Sequence, residues 1–422
     1  MRRRKSFGAI AFRLALIVVV AATALAGVMF VHSLSGKPAE RLAAQPTLPA
    51  VTQPPETLPP ETVPTETLPP ETTAPPETTE PQPVVSTVTL VAVGDNLIHN
   101  MVFRSGWGTD PWNYDHLYQY VKDDIQAADL AAIDQETIFV EDHANVAHYP
   151  RFGTPTEIGD AVVNAGFDII LHASNHVMDK GIDNVYFSLD YWSDKPVTVL
   201  GIHKDAEDAK LPKIVEKNGI RLGMINYTYS TNGIRVPSDQ KYAVDMLDDM
   251  DKLLADVAYL EEHADITVAF LHQGAEYSVK PSQEALRVVE KVVAAGADLL
   301  IDGHPHVLEP YERYTAENGN EAVVYHSLGN FVSAQTELDR LLGGMAKVTI
   351  QKTEFQGESK TEVTDFTLVP IVTHTAFDDT YAVYKLEDYT DELARKNVLV
   401  PTTTQRLWDR FYQIVGKPEE EN

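Results

Sequence analysis

Cysteine is absent from all 422 residues. Disulfide bracing and thiolate metal sites are therefore excluded, and any bound metal must be held by imidazole, carboxylate or amide groups. Positive charge is also scarce, with 34 Lys and Arg against 62 Asp and Glu and a formal net charge of −28. A nucleic-acid binder needs basic surface to neutralise phosphates, so that class is set aside. The same excess disfavours broad adhesion to an acidic polymer unless the contact is local or metal-mediated. With 44% hydrophobic residues the chain nonetheless has enough apolar material for a large core.

Charge is missing altogether from residues 14–31, an apolar run that follows Arg2, Arg3, Arg4 and Lys5. About 18 residues at 1.5 Å each just span a bilayer core of roughly 30 Å. Basic residues hold the N-terminal side in the cytoplasm, so residues 1–36 are expected to be a basic tip and transmembrane anchor. The rest of the chain would then lie outside the cell membrane. The alternative is secretion after signal cleavage, at Ala22-Thr23-Ala24 or Ala24-Leu25-Ala26. Residues 37–84 turn abruptly to Pro, Thr and Glu, and Thr-Leu-Pro-Pro-Glu-Thr occurs at both 57–62 and 67–72. Such a segment has little to bury against its ordering entropy, so an extended, disordered stalk is expected.

A globular pattern fills residues 85–416, and residues 417–422 are expected to fray. Short β-branched runs at 87–93, 129–133, 167–171, 221–226, 266–271 and 298–301 predict buried strands. Between them 112–127, 157–165, 184–192, 245–263 and 282–295 predict helices, so the fold class is α/β with a largely parallel sheet. The runs at 323–326, 345–350 and 362–369 lack intervening helices and predict an antiparallel portion. Residues 386–416 read as helical.

The predicted strand ends carry the chemistry. They run into Gly94-Asp95-Asn96, Asp134-Gln135-Glu136, His172-Ala173-Ser174-Asn175-His176, His272-Gln273-Gly274 and Asp302-Gly303-His304-Pro305-His306. Ligand sites in open α/β sheets form outside the carboxyl ends of strands, which would bring these groups to one edge. Singly each is weak: a strand-end Gly-Asp is most often a turn and a lone His most often a packing residue. Together they supply anionic oxygen, imidazole nitrogen and an amide oxygen. That mixture suits one or two divalent ions, Mn, Zn or Fe more than Mg. Such an ion lowers the pKa of bound water and polarises a substrate oxygen.

Five of these motifs, in order, resemble the CapA-type capsule synthesis family: Gly94-Asp95, the 134–136 position, Ser174-Asn175-His176 through Asp179 and Gly181, Leu271-His272-Gln273-Gly274, and Gly303-His304-Pro305-His306. Tyr325 to Phe331 follows them in the same order. The family is associated with making or anchoring poly-γ-glutamate and is in turn similar to calcineurin-like metallophosphatases. The resemblance implies a four-layer αββα sandwich. It also implies metal ligation by Asp95, Glu136, Asn175, His272, His304 and His306. His176 would protonate a leaving group or stabilise developing charge, with Asp179 orienting it. Arg104, Tyr149 and Arg151, on loops after the first two strands, are candidates for holding an anionic substrate.

Two departures stand out. Metallophosphatases carry Asp-x-His after the first strand, where this chain has Leu97. Their second strand ends in Gly-Asp-x-x-Asp, where this chain has Asp134-Gln135-Glu136. One metal position thus loses a ligand, for which His99 and His172 are candidate replacements. Three functions follow as expectations. The first is a surface CapA-like hydrolase acting on a phosphoester or amide bond of an anionic surface polymer or small phosphoester. The second is a non-catalytic polymer-binding or assembly component that keeps a metal for structure; on any of these readings other capsule-synthesis membrane proteins are candidate partners. The third is a surface phosphatase.

Overall fold

Sixteen strands order the described residues. In a computed structural model describing residues 82–108, 111–377 and 380–417, they are β1 (Val84–Asn96), β2 (Leu130–Asp134), β3 (Phe139–Val140), β4 (Thr154–Pro155), β5 (Ile169–Leu171), β6 (Thr198–Leu200), β7 (Lys213–Lys217) and β8 (Ile220–Thr228), followed by β9 (Ile266–His272), β10 (Leu299–Gly303), β11 (Tyr311–Thr315), β12 (Glu321–Tyr325), β13 (Asn330–Val332), β14 (Leu342–Phe355), β15 (Glu358–Thr375) and β16 (Tyr381–Lys385). The expected anchor and nearly all of the expected stalk lie outside the described residues. Among those residues no helix is long and apolar enough to cross a membrane.

Two mixed sheets result. The first has the order β16-β15-β14-β1-β2-β5-β6, with β13 added beside the end of β1. Strands β1, β2, β5 and β6 run parallel, while β14, β15 and β16 form the expected antiparallel portion. The second sheet has the order β11-β12-β10-β9-β8-β7, parallel in its centre and antiparallel at both edges.

Alternation along the strands separates the layers. Leu222, Met224, Val268, Phe270, Leu299 and Ile301 of the second sheet join one core with Leu90, Ala92, Leu130 and Ile133 of the first. Their sequence neighbours Ile225, Ala269, Leu271 and Leu300 instead pack with Leu253, Val257, Leu260, Val289, Val292 and Val293. Those six lie on the helices Met250–His263 and Gln283–Ala295. The second sheet is thus buried on both faces, which explains its nearly unbroken apolar runs. Ser282 caps the helix Gln283–Ala295 by accepting from the Ala285 N–H.

Three expected elements differ. The helix expected at 112–127 is a 3₁₀ turn, Asp115–Leu117, and a short helix, Lys122–Ala127. There the Asn113 side chain accepts from the Asp115 N–H at 3.0 Å, a local bond that competes with helical pairing. The expected C-terminal helix is two helices, Asp391–Lys396 and Thr404–Val415. Pro401 lies in the break and Thr403 caps the second helix through the Arg406 N–H. Strand β12 was expected among antiparallel neighbours, yet it runs parallel to β10 because β11 leads out and β12 returns as a hairpin.

The two sheets present their carboxyl edges together. Asp95 registers with Asp134, and Gly303 with His272. Close backbone approach at this edge requires glycine: a Cβ on Gly94 would sit 1.9 Å from the Gly329 carbonyl oxygen. Gly94→Ala is expected to lower the denaturant midpoint by the equivalent of about 1–3 kcal/mol with an unchanged slope. An unchanged midpoint would contradict the packing described here.

Candidate metal centre

The end of β1 delivers Asp95, fully buried, between the sheets. Its Oδ1 accepts from the His304 backbone N–H at 3.0 Å, and its Oδ2 lies 2.8 Å from His306 Nδ1. The end of β2 delivers Asp134, whose Oδ2 lies 2.8 Å from His272 Nδ1 at the end of β9. Next in the chain, Gln135 is pinned by its N–H to Leu171 O at 2.9 Å and by Asn96 Nδ2 to its Oε1 at 2.8 Å. Ser174 Oγ donates to the Glu136 carbonyl at 2.6 Å. This scaffold leaves the Glu136 carboxylate among imidazoles, 3.8 Å from His176 Nε2 and 3.9 Å from both His272 Nε2 and His306 Nδ1.

The turn after β10 is bent to carry two histidines. His304 and His306 both have left-handed backbones, φ 98° and 60°, a conformation that costs non-glycine residues energy and is held by its surroundings. Here the Asp95 bond to His304 N–H holds one side. Tyr277 N–H to Pro305 O at 2.8 Å and Asn330 Nδ2 to His306 O at 3.2 Å hold the other. Gly303 must stay bare, since a Cβ there would lie 2.8 Å from both Asp134 Oδ2 and Asp95 Oδ1. Asn175 Oδ1 completes the group at 3.0 Å from His272 Nε2.

Two triads have ligand atoms all within 4.8 Å of one another: Asp95, Glu136 and His306, and Asp95, Asp134 and His272. Asp95 belongs to both. The donors fit a divalent ion. Both Glu136 oxygens, Asp134 Oδ1 and His304 Nδ1 are buried without a hydrogen-bond partner, a costly state that a cation relieves. Burial and then the Asp95 charge push Asp134 and Glu136 well above the usual carboxylate range. Burial also pushes Asp95 upward, but the hydrogen bond and charge of His306 outweigh it and leave Asp95 below its ordinary value. Burial lowers His272 to about 3 and His304 to about 2, with neighbouring imidazoles contributing. Their rings are therefore neutral at physiological pH, the state that ligates metal.

Beside the triads, His176 Nδ1 lies 2.7 Å from Asp179 Oδ2, and the same oxygen accepts from the Phe152 N–H at 2.7 Å. The Phe152 ring meets the His176 ring edge-on at 4.7 Å. All eight residues expected as ligands or catalytic groups are thus brought together, with His304 and Asn175 adjoining the triads. Asp134 joins them although the sequence reading left it out of the ligand set. Its signal was its position at a strand end, two residues before Glu136. Leu97 is buried. Neither candidate replacement for a ligand at that position enters a triad among the described residues. His99 Nδ1 is occupied by the Ala334 N–H at 3.3 Å. His172 sits edge-on to Phe139 and Trp192 and is lowered to about 3 by burial. The three substrate candidates are surface residues. Arg104 and Arg151 are exposed with no ion pair among the described residues, and Tyr149 is a rim residue whose ring lies 6.5 Å from Phe152.

Residues 89–335 match the family model for Bacterial capsule synthesis protein PGA_cap. The chain belongs to this family. It is similar to PGA biosynthesis protein CapA of Bacillus subtilis (strain 168), 27% identical over 256 residues that cover 58% of this chain and 62% of that protein. Capsule biosynthesis protein CapA of Bacillus anthracis is 26% identical over 259 residues, covering 59% and 60%. This PGA_cap chain thus spans about three fifths of the length of the curated relatives it matches. Among solved structures it is similar to a putative 5'-nucleotidase from Staphylococcus aureus, with TM-score 0.43, 14% identity, and coverage of 77% of this chain and 58% of that one. The NAD nucleotidase NadN of Haemophilus influenzae has TM-score 0.43 and 11% identity, covering 78% and 60%. Both scores are low, and the fold rests on the strand topology above.

Behind the PGA_cap centre, burial raises Glu309 to about 9, with the charge of nearby Asp302 adding to the shift. A raised carboxyl pKa means the folded state holds a proton that the unfolded state has released. Its stability contribution is therefore full below the ordinary glutamate range and is lost as pH rises through about 9. Above pH 7 the depressed imidazoles no longer oppose this trend. The melting temperature of metal-free protein should fall between pH 7 and 9, and Glu309→Gln should flatten that slope. Equal slopes in the two proteins would refute the assignment.

Proposed function

We propose that this chain is a metal-dependent hydrolase of capsule synthesis, anchored at the cell surface and acting on a phosphoester or amide bond. The observation that carries it is the buried set of Asp95, Asp134, Glu136, His272 and His306 with the His176–Asp179 pair at its side. The names of the Bacillus relatives support a capsule or poly-γ-glutamate context. A divalent ion held by the two triads, with Asn175 and His304 adjoining, supplies Lewis acidity and lowers the pKa of bound water.

The chain's own groups supply the rest. Asp179 fixes the His176 ring through Nδ1, which leaves Nε2 facing the Glu136 side of the site. In hydrolysis the elements of water add across the broken bond, and Nε2 is placed to give its proton to the departing oxygen or nitrogen. Burial of the surrounding carboxylates excludes bulk water and strengthens electrostatic interactions with a substrate. The basic residues 2–5 and the apolar run 14–31 support a single-pass anchor, with the Pro/Thr/Glu segment holding the domain off the membrane. Partners of this kind would be an anionic surface polymer or a small phosphoester, and other membrane proteins of capsule synthesis.

A second reading, a non-catalytic assembly component that keeps its metal for structure, is favoured by Leu97 in place of a ligand. Turnover separates the two. Full-length protein loaded with Mn, Zn or Fe should hydrolyse a phosphodiester or γ-glutamyl amide. His176→Ala should reduce kcat by about 10²–10⁴-fold with metal content unchanged. Metal-loaded protein without turnover on either class of bond would leave the assembly reading standing.

A further inference from the structure

A cation lies one aromatic ring away from His306. Arg340 belongs to the short helix Leu338–Leu341, between β13 and β14. Its guanidinium carbon lies 3.5 Å from the centroid of the Tyr277 ring, and that ring stands 6.0 Å from the His306 imidazole. Of the four cation–ring contacts among the described residues, only this one has a ring that also borders a candidate ligand.

Backbone bonds tie the cation to the ligand-bearing turn. Tyr277 N–H donates to Pro305 O, between the two histidines. Asn330, in register with Asp95, donates through Nδ2 to His306 O at 3.2 Å and to Arg340 O at 2.9 Å. One side-chain amide therefore links the His306 and Arg340 backbones, on a residue in register with Asp95.

The hydrogen-bonding capacity of Arg340 is largely unused. A guanidinium carries five N–H donors. Its Nη2 meets Glu337 Oε1 at 3.2 Å, but Glu337 is 67% exposed, and such surface pairs contribute little. Its Nε is buried without a partner. Tyr277 covers the guanidinium face, while the donors lie along the edge. That arrangement matches the planar, two-point recognition of a carboxylate or phosphate.

We infer that Arg340 is an anion-binding residue whose guanidinium edge receives a carboxylate or phosphate group of a molecule bound at the metal centre, with Tyr277 holding the opposite face. Calling that molecule the substrate rests on the hydrolase reading; the binding itself does not. The site would then select molecules with an anionic group next to the scissile bond, either a phosphodiester or a γ-glutamyl amide with a free α-carboxylate. Neutral esters would be poor substrates.

The test is calorimetric titration of the full chain, first metal-free and then Mn-loaded, with inorganic phosphate and separately with L-glutamate. Metal-free protein should bind at least one of these anions, and the preferred one identifies the group. Arg340→Gln should weaken that binding about tenfold or more, and Arg340→Lys should restore part of it by returning charge without the fork. Melting temperatures within a few degrees of wild type would show that both variants fold. Equal affinities in wild type and Arg340→Gln, or no binding to wild type in either metal state, would overturn the inference. Arg340-dependent binding without turnover would refute the hydrolase reading alone. Turnover with kcat and KM on an anionic substrate unchanged in Arg340→Gln would refute this inference alone.

Discussion

Asp95 is fully buried and sits within reach of two other carboxylates, Asp134 and Glu136, and of the imidazoles of His272 and His306. Placing three acids in one dry volume is strongly unfavourable unless positive charge accompanies them. Much of the structure around them follows from that constraint. The two sheets meet so that their carboxyl edges share the site. The turn after β10 takes up left-handed backbone at two histidines, and glycine is enforced at 94 and 303 where backbone and carboxylates crowd. A divalent ion shared through Asp95 is the natural counter-charge for such a cluster.

The supporting bonds make the site a rigid one. Asn330 spans β13, the His304–His306 turn and the helix bearing Arg340, while Gln135 and Ser174 fix the backbone that aims Glu136. Asp179 fixes the ring of His176. Glu136 and His176 are thus aimed by neighbours outside the triads, while His272 and His306 are held by the carboxylates Asp134 and Asp95 themselves.

Much of this was legible in the sequence because the ligands sit at strand ends, and strand ends are marked by apolar runs stopping at polar residues. Asp95, Glu136, Asn175, His176, His272, His304 and His306 were all readable in that way. Asp134, at the end of β2, was left out of the ligand set because the family pattern pointed to Glu136 two residues on. Arg340 was missed because its relation to the site is made through the ring of Tyr277, far from it in sequence, and no local pattern records that contact. The substrate candidates Arg104, Tyr149 and Arg151 rest on loop position alone, a signal that does not by itself fix where a side chain lies. The parallel pairing of β12 with β10, beside its antiparallel pairing with β11, left no mark in the local pattern.

Metal content of the full chain and two variants tests the shared role of Asp95 most directly. Wild type should hold Mn, Zn or Fe near stoichiometry by elemental analysis. Asp95→Asn should lose all of it, because both triads use that carboxylate, whereas Asp134→Asn should keep the ion held by Asp95, Glu136 and His306. Full retention of metal by Asp95→Asn, or absence of metal from wild type even after reloading, would contradict the account.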